Sequence, residues 1–112
     1  YLYIVDVINT RIQILNFEGK FVEYIGGWGV EKGQFFRPKG IAISDKNLIY
    51  ISDSYMGVVQ VFESNGSFVA AIGEKSAKTV KKFVTPVGLW IDNKNRLYVV
   101  EMAANRIGVY QM

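Results

Sequence analysis

Tyr50-Ile51-Ser52-Asp53 occurs in related form twice more, as Tyr3-Ile4-Val5-Asp6 and as Tyr98-Val99-Val100-Glu101, at offsets of 47 and 48 residues. Other segments keep the same register. Ile12-Gln13-Ile14 returns as Val59-Gln60-Val61 and, more loosely, as Ile107-Gly108-Val109. Gly19-Lys20-Phe21-Val22 returns as Gly66-Ser67-Phe68-Val69, and Ile25-Gly26 as Ile72-Gly73. Pro38-Lys39-Gly40-Ile41 returns as Pro86-Val87-Gly88-Leu89. Self-similarity at one fixed period is the mark of a repeat architecture.

Each unit reads as four short strands. In the complete one they are Ile41 to Ser44, Leu48 to Ser52, Val58 to Glu63 and Ser67 to Ile72. These runs are rich in Ile, Val, Phe and Tyr, which suit a pleated, half-buried surface. Asp45-Lys46-Asn47 joins the first pair. Asn65-Gly66 joins the last, and Asn-Gly predicts a tight hairpin because both residues tolerate positive φ; Glu18-Gly19 stands there one repeat earlier. A four-stranded unit repeated every 40 to 50 residues predicts an all-β propeller blade. A blade buries its faces only by stacking on neighbours.

Composition agrees and excludes several activities. Half of the 112 residues are apolar and 14% are aromatic, enough for a packed core. With no Cys, a disulfide framework and a Cys-based zinc site are excluded. The absence of His removes Ser-His-Asp and Cys-His catalysis and every His-ligated metal site within the chain. A net charge of +3 is only mildly basic. No apolar run approaches the roughly 18 residues of a membrane-spanning helix. Because the sequence opens at Tyr1 within an apolar alternation, an excerpt of a longer polypeptide is expected.

At the level of motifs the chain resembles NHL repeats. The resemblance rests on Pro38 to Ile43 and Pro86 to Ile91, on the Tyr-x-x-Asp strand end, and on Asp6, Asn9, Arg11, Ile12 and Gln13. Gly26-Gly27-Trp28-Gly29-Val30-Glu31-Lys32-Gly33-Gln34-Phe35 resembles the family's passage between blades. It is no phosphate cradle, since no Lys-Ser/Thr or helix follows. The pattern is not uniform: Met56-Gly57-Val58 stands where the first unit has Asn9-Thr10-Arg11, and Ser44 where the third has Asp92.

The resemblance implies a partial β-propeller, six-bladed when complete. Residues 1–36 are expected to give three outer strands of one blade plus a linker. Residues 37–84 would give one complete blade plus a linker, and 85–112 three inner strands of the next. Missing blades are expected from the rest of a longer chain or from another chain. An open array would leave sheet faces and edges exposed.

Site candidates follow from position. Asp6 with Arg11, Asp53, and Glu101 with Arg106 flank equivalent loops and are expected to be structural pairs. Asp6, Asp53 and Glu101 could converge on the axis, but no dense carboxylate loop favours a metal, and no cofactor is expected. Lys75, Lys78, Lys81 and Lys82 form the one basic cluster, with Phe83 after it and Tyr55 on a nearby loop. Trp90, in an innermost strand, is the candidate for lining the channel.

The leading expectation is a non-catalytic interaction scaffold with protein partners. Two alternatives stand beside it. One is a propeller enzyme of the amidating-lyase type, whose catalytic residues would lie in other blades. The other is a propeller binding single-stranded RNA. The resemblance also implies an exported, periplasmic or extracellular location.

Overall fold

The computed structural model describes residues 1–73 and 83–112. Ten strands form three antiparallel sheets among these residues. The first sheet holds β1 (Leu2–Asp6), β2 (Arg11–Leu15) and β3 (Phe21–Ile25) in that order. The central sheet holds β4 (Pro38–Ile43), β5 (Ile49–Asp53), β6 (Val58–Phe62) and β7 (Phe68–Ile72). The third holds β8 (Pro86–Ile91), β9 (Arg96–Glu101) and β10 (Arg106–Gln111). A single 3-10 turn, Met102–Ala104, joins the last two strands, and no described helix is long and apolar enough to cross a membrane.

The chain is all-β, as the spacing of its apolar runs predicts. The first strand of the central sheet begins earlier than expected, at Pro38. A register shift between Pro38 and Ile41 lets the chain pair Pro38 with Asp53 and Ile41 with Ile51. Such a bulge bends the strand without ending its pairing. Pro86 and Leu89 repeat it in the third sheet. The β6–β7 connection also departs from the expected two-residue hairpin. The Gly66 amide donates to the Glu63 carbonyl and the Glu63 amide to the Ser67 carbonyl, and only Gly66 of the Asn-Gly pair has positive φ. This is a longer loop closed by a left-handed glycine, and Asn16 to Lys20 repeats it.

Strand alternation divides the central sheet into two apolar faces. Ile49, Ile51 and Phe62 pack with Ile12, Ile14 and Ile25 of the first sheet. Tyr50, Val59 and Val61 pack with Leu97 and Val99 of the third. Every residue of β5 and β6 is therefore buried. Full burial of one such side chain contributes about 1.5–3 kcal/mol.

Each interface is plugged from the linker by a phenylalanine. Phe35 lies in the first cluster and Phe83 in the second. Phe35 meets the ring of Phe62 with centroids 5.7 Å apart, and Phe83 meets Tyr110 edge-on at 5.3 Å. Gly26 makes room for the first plug, since a Cβ there would strike the Phe35 ring and its φ is +85°. Nearer the inner strands the sheets touch through backbone. Any Cβ on Gly40 would run into the Val87 carbonyl of β8. Ser52 is fully buried, and its hydroxyl accepts from the Gly40 amide and donates to the Val87 carbonyl.

Candidate functional site

One carboxylate ends the corresponding strand of each unit, Asp6 on β1, Asp53 on β5 and Glu101 on β9, and each is committed to its own surroundings. Asp53 is wholly buried, and among the described residues no cation pairs with it. It accepts from the Phe36 and Arg37 amides of the linker at 2.8 and 3.2 Å. It also accepts from the Tyr55 and Met56 amides of its own loop at 3.2 and 3.0 Å. Gln60 adds a second clasp, accepting from the Gly33 amide at 2.8 Å and donating to the Gln34 carbonyl at 2.6 Å.

Glu101 also grips its linker, accepting from the Val84 amide at 2.9 Å. Arg106 closes the pair through Nε at 2.9 Å and Nη2 at 3.1 Å. Those Arg106 hydrogen bonds outweigh burial and hold the Glu101 carboxyl below the usual glutamate range. Asp6 instead accepts from the side chains of Asn9 and Gln13, both at 2.9 Å. These two bonds, Asn9 first, lower its pKa. Arg11 stands 3.5 Å from Asp6 and lies over the Tyr24 ring at 3.9 Å. The carboxylates do not converge: among the described residues no three acidic side chains are grouped to hold a metal ion.

A fourth carboxylate was noted in the sequence only as a departure from Ser44. Asp92 accepts from Arg96 Nε at 2.6 Å, the Tyr98 hydroxyl at 3.0 Å, and the Lys94 and Arg96 amides at 2.9 Å. Burial pushes its carboxyl up, but these donors together bring it down to about 2.

Because Asp53 pins the linker to the β5–β6 loop, aromatic side chains from both meet at the rim. Phe36 stacks on Tyr55 with centroids 4.0 Å apart and planes 26° from parallel. Trp28 adds a third ring 5.8 Å from Phe36. Trp28 and Tyr55 remain 69% and 62% exposed, with the exposed Arg37 next in the chain to Phe36. Tyr55 was a sequence candidate. Trp28 and Phe36 were not, since Phe36 is brought there by the Asp53 and Ser54 contacts to the linker backbone and Trp28 by its bridge to Phe35.

Trp90 lies on β8, exposed on the outward face of the third sheet and 5.3 Å from the Tyr98 ring. Phe83 does not join the rim; it is buried between sheets. Lys75, Lys78, Lys81 and Lys82 lie outside the described residues.

No family model matches the chain. It is 29% identical to protein brain tumor of Drosophila melanogaster, an NHL-repeat protein, over 111 residues, spanning 97% of this chain and 10% of that protein. Among solved structures, virginiamycin B lyase from Staphylococcus aureus superposes with a TM-score of 0.67 at 15% identity, covering 98% of this chain and 37% of the lyase. A streptogramin B lyase gives a TM-score of 0.68 at 13% identity, covering 98% of this chain and 36% of the other. The fold is thus a partial β-propeller with NHL-like repeats, and the chain spans a minor part of each of these proteins.

Proposed function

We propose that the chain is part of a non-catalytic propeller that serves as a protein-interaction scaffold, with the Trp28–Phe36–Tyr55 rim as its contact surface. On this reading residues 37–84 are one complete blade with its linker. Residues 1–36 and 85–112 belong to its neighbours, and the remaining blades come from the rest of the polypeptide or another chain. The observation that carries the reading is a cluster of three rings, Trp28 and Tyr55 exposed and Phe36 half-buried between them, on a backbone fixed by Asp53. Aromatic side chains supply much of the energy at protein interfaces, and loops on a rigid frame are where recognition resides.

Exchange of Trp28 and Tyr55 for Ala tests it. Captured partners of the wild-type chain are expected to be lost from the double variant while its circular dichroism is unchanged. Retention of the same partners would remove the rim from the proposal.

The Phe36–Tyr55 stack beside Arg37 also favours a second reading, single-stranded RNA, because stacked rings with cations form a base platform. Filter binding with random single-stranded RNA at two salt concentrations separates the two. Binding that falls with salt and with the rim substitutions supports RNA; no binding at either salt concentration counts against it. An enzyme of the amidating-lyase type would need catalytic residues outside these 112, since the chain contains no His.

A further inference from the structure

What the rim offers a partner is set by which of its polar groups the fold has already used. The Phe36, Arg37, Tyr55 and Met56 amides all donate to Asp53. The Arg37 carbonyl accepts from the Ser54 amide. The Phe35 amide donates to the Gly27 carbonyl and the Gly29 amide to the Phe35 carbonyl, closing the turn that carries Trp28. Two side-chain donors remain. Among the described residues the Trp28 indole N–H and the Tyr55 hydroxyl make no hydrogen bond, and both rings are exposed. An indole N–H only donates, while a phenol hydroxyl donates and accepts. The rim thus presents flat apolar surface together with donors free for a ligand.

Spacing narrows the choice of ligand. Trp28 lies 5.8 Å and Tyr55 4.0 Å from Phe36, so the two outer rings stand within about 10 Å of each other. A polyproline II helix repeats every three residues over about 9 Å. Residues three apart on such a segment can rest on both outer rings at once. Its backbone has no internal hydrogen bonds, so its carbonyls need donors. Proline brings no N–H that would be left unpaired against the rings.

We propose that the rim receives a proline-rich, extended segment of a partner protein, an inference that rests on the scaffold reading above. Prolyl rings pack on Trp28 and Tyr55, and the indole N–H and phenol hydroxyl donate to carbonyls of the segment. Phe36, stacked on Tyr55, supports that ring. The ligand is already extended and the rim backbone already fixed, so little freedom is lost on docking.

The test titrates the full chain into fluorescein-labelled decaproline and reads polarisation, with a labelled Gly-Ser decapeptide as the control. Saturable binding to decaproline alone is expected. Trp28→Ala and Tyr55→Ala are each expected to weaken it by about 10-fold or more, as loss of an aromatic anchor does. Trp90→Ala, which removes an exposed ring on β8, is expected to leave it unchanged. No saturation by about 1 mM overturns the proposal, since the contact would then be weaker than about 4 kcal/mol. So does equal binding of the Gly-Ser peptide, binding that survives both alanine variants, or rim-dependent binding of random single-stranded RNA in place of decaproline. Circular dichroism checks folding. Should an alanine variant unfold, Trp28→Phe and Tyr55→Phe keep the rings and lose only the donors. They are expected to weaken binding by about 3-fold, and unchanged affinity in both overturns the proposal. Failure of the two readings is distinguishable. If decaproline does not bind while captured partners are lost from the Trp28, Tyr55 double variant, the proline inference falls and the scaffold surface stands. If captured partners are retained by that variant, the scaffold surface falls whatever decaproline does.

Discussion

Val59 and Ile107 occupy the same place in the repeat, yet one is sealed from solvent and the other lies open. The strands that hold them, β6 and β10, have similar apolar patterns and the same antiparallel pairing with the strand before. What differs is company. The central sheet is covered on both faces, and β10 carries no residue buried on its outward side. Strand formation is thus written in each unit, while burial is a property of the neighbour. Identical chemical changes at paired positions should therefore have unequal effects.

The largest inequality is expected at the linker latch. Asp53→Ala strips the acceptor from two linker amides and two loop amides. A loss of about 4 kcal/mol in urea unfolding is expected, from leaving buried donors unpaired. A loss below about 1 kcal/mol would show that water replaces the carboxylate. Gly40→Ala comes next. It drives a methyl group into the Val87 carbonyl, where backbone cannot yield, and should cost about 3 kcal/mol. Its counterpart Gly88→Ala meets only the Val100 side chain, at 3.3 Å, and should cost under about 1 kcal/mol. Equal losses at the two glycines would break the comparison.

The direct pair follows. Val59→Ala should cost about 2 kcal/mol. Ile107→Ala should stay within about 0.5 kcal/mol in the monomeric chain, as exposed substitutions do. The smallest effect concerns acid. The Asp92 carboxyl is lowered to about 2, so the stability it confers is fully present above the ordinary aspartate pKa. That contribution is lost as pH falls through the folded value. Asp92→Ser installs the residue found at Ser44 and removes this dependence. The stability gap between wild type and D92S should narrow as pH falls from about 5 to about 2. A gap that stays constant over that range would mean that Asp92 acts only by packing.

The repeat, the strands and the propeller architecture were legible in the sequence because they depend on alternation and local turn chemistry. The bulge at Pro38 was not, since it shows only in the register with Asp53. The Asp53 latch spans 16 and 17 residues to Arg37 and Phe36, and no local pattern announces it. Phe83 misled for a similar reason: beside a basic run it reads as a surface ring, yet the sheet contact it fills is formed by strands on either side of it in the chain. Tyr55 alone of the three rim rings was anticipated, because the stack depends on where a linker lies across a neighbouring loop.

The plugging phenylalanines bear on how the chain acquires its structure. Every sheet is knitted from strands adjacent in sequence, so each can form soon after its residues leave the ribosome. The junction between sheets is closed later, when Phe35 inserts beside Phe62, a residue of the next sheet that leaves the ribosome after it. Growth would therefore advance like a zip with a catch at each repeat. Until the catch engages, a newborn sheet carries one sticky face, and that interval is when the nascent chain most needs a chaperone.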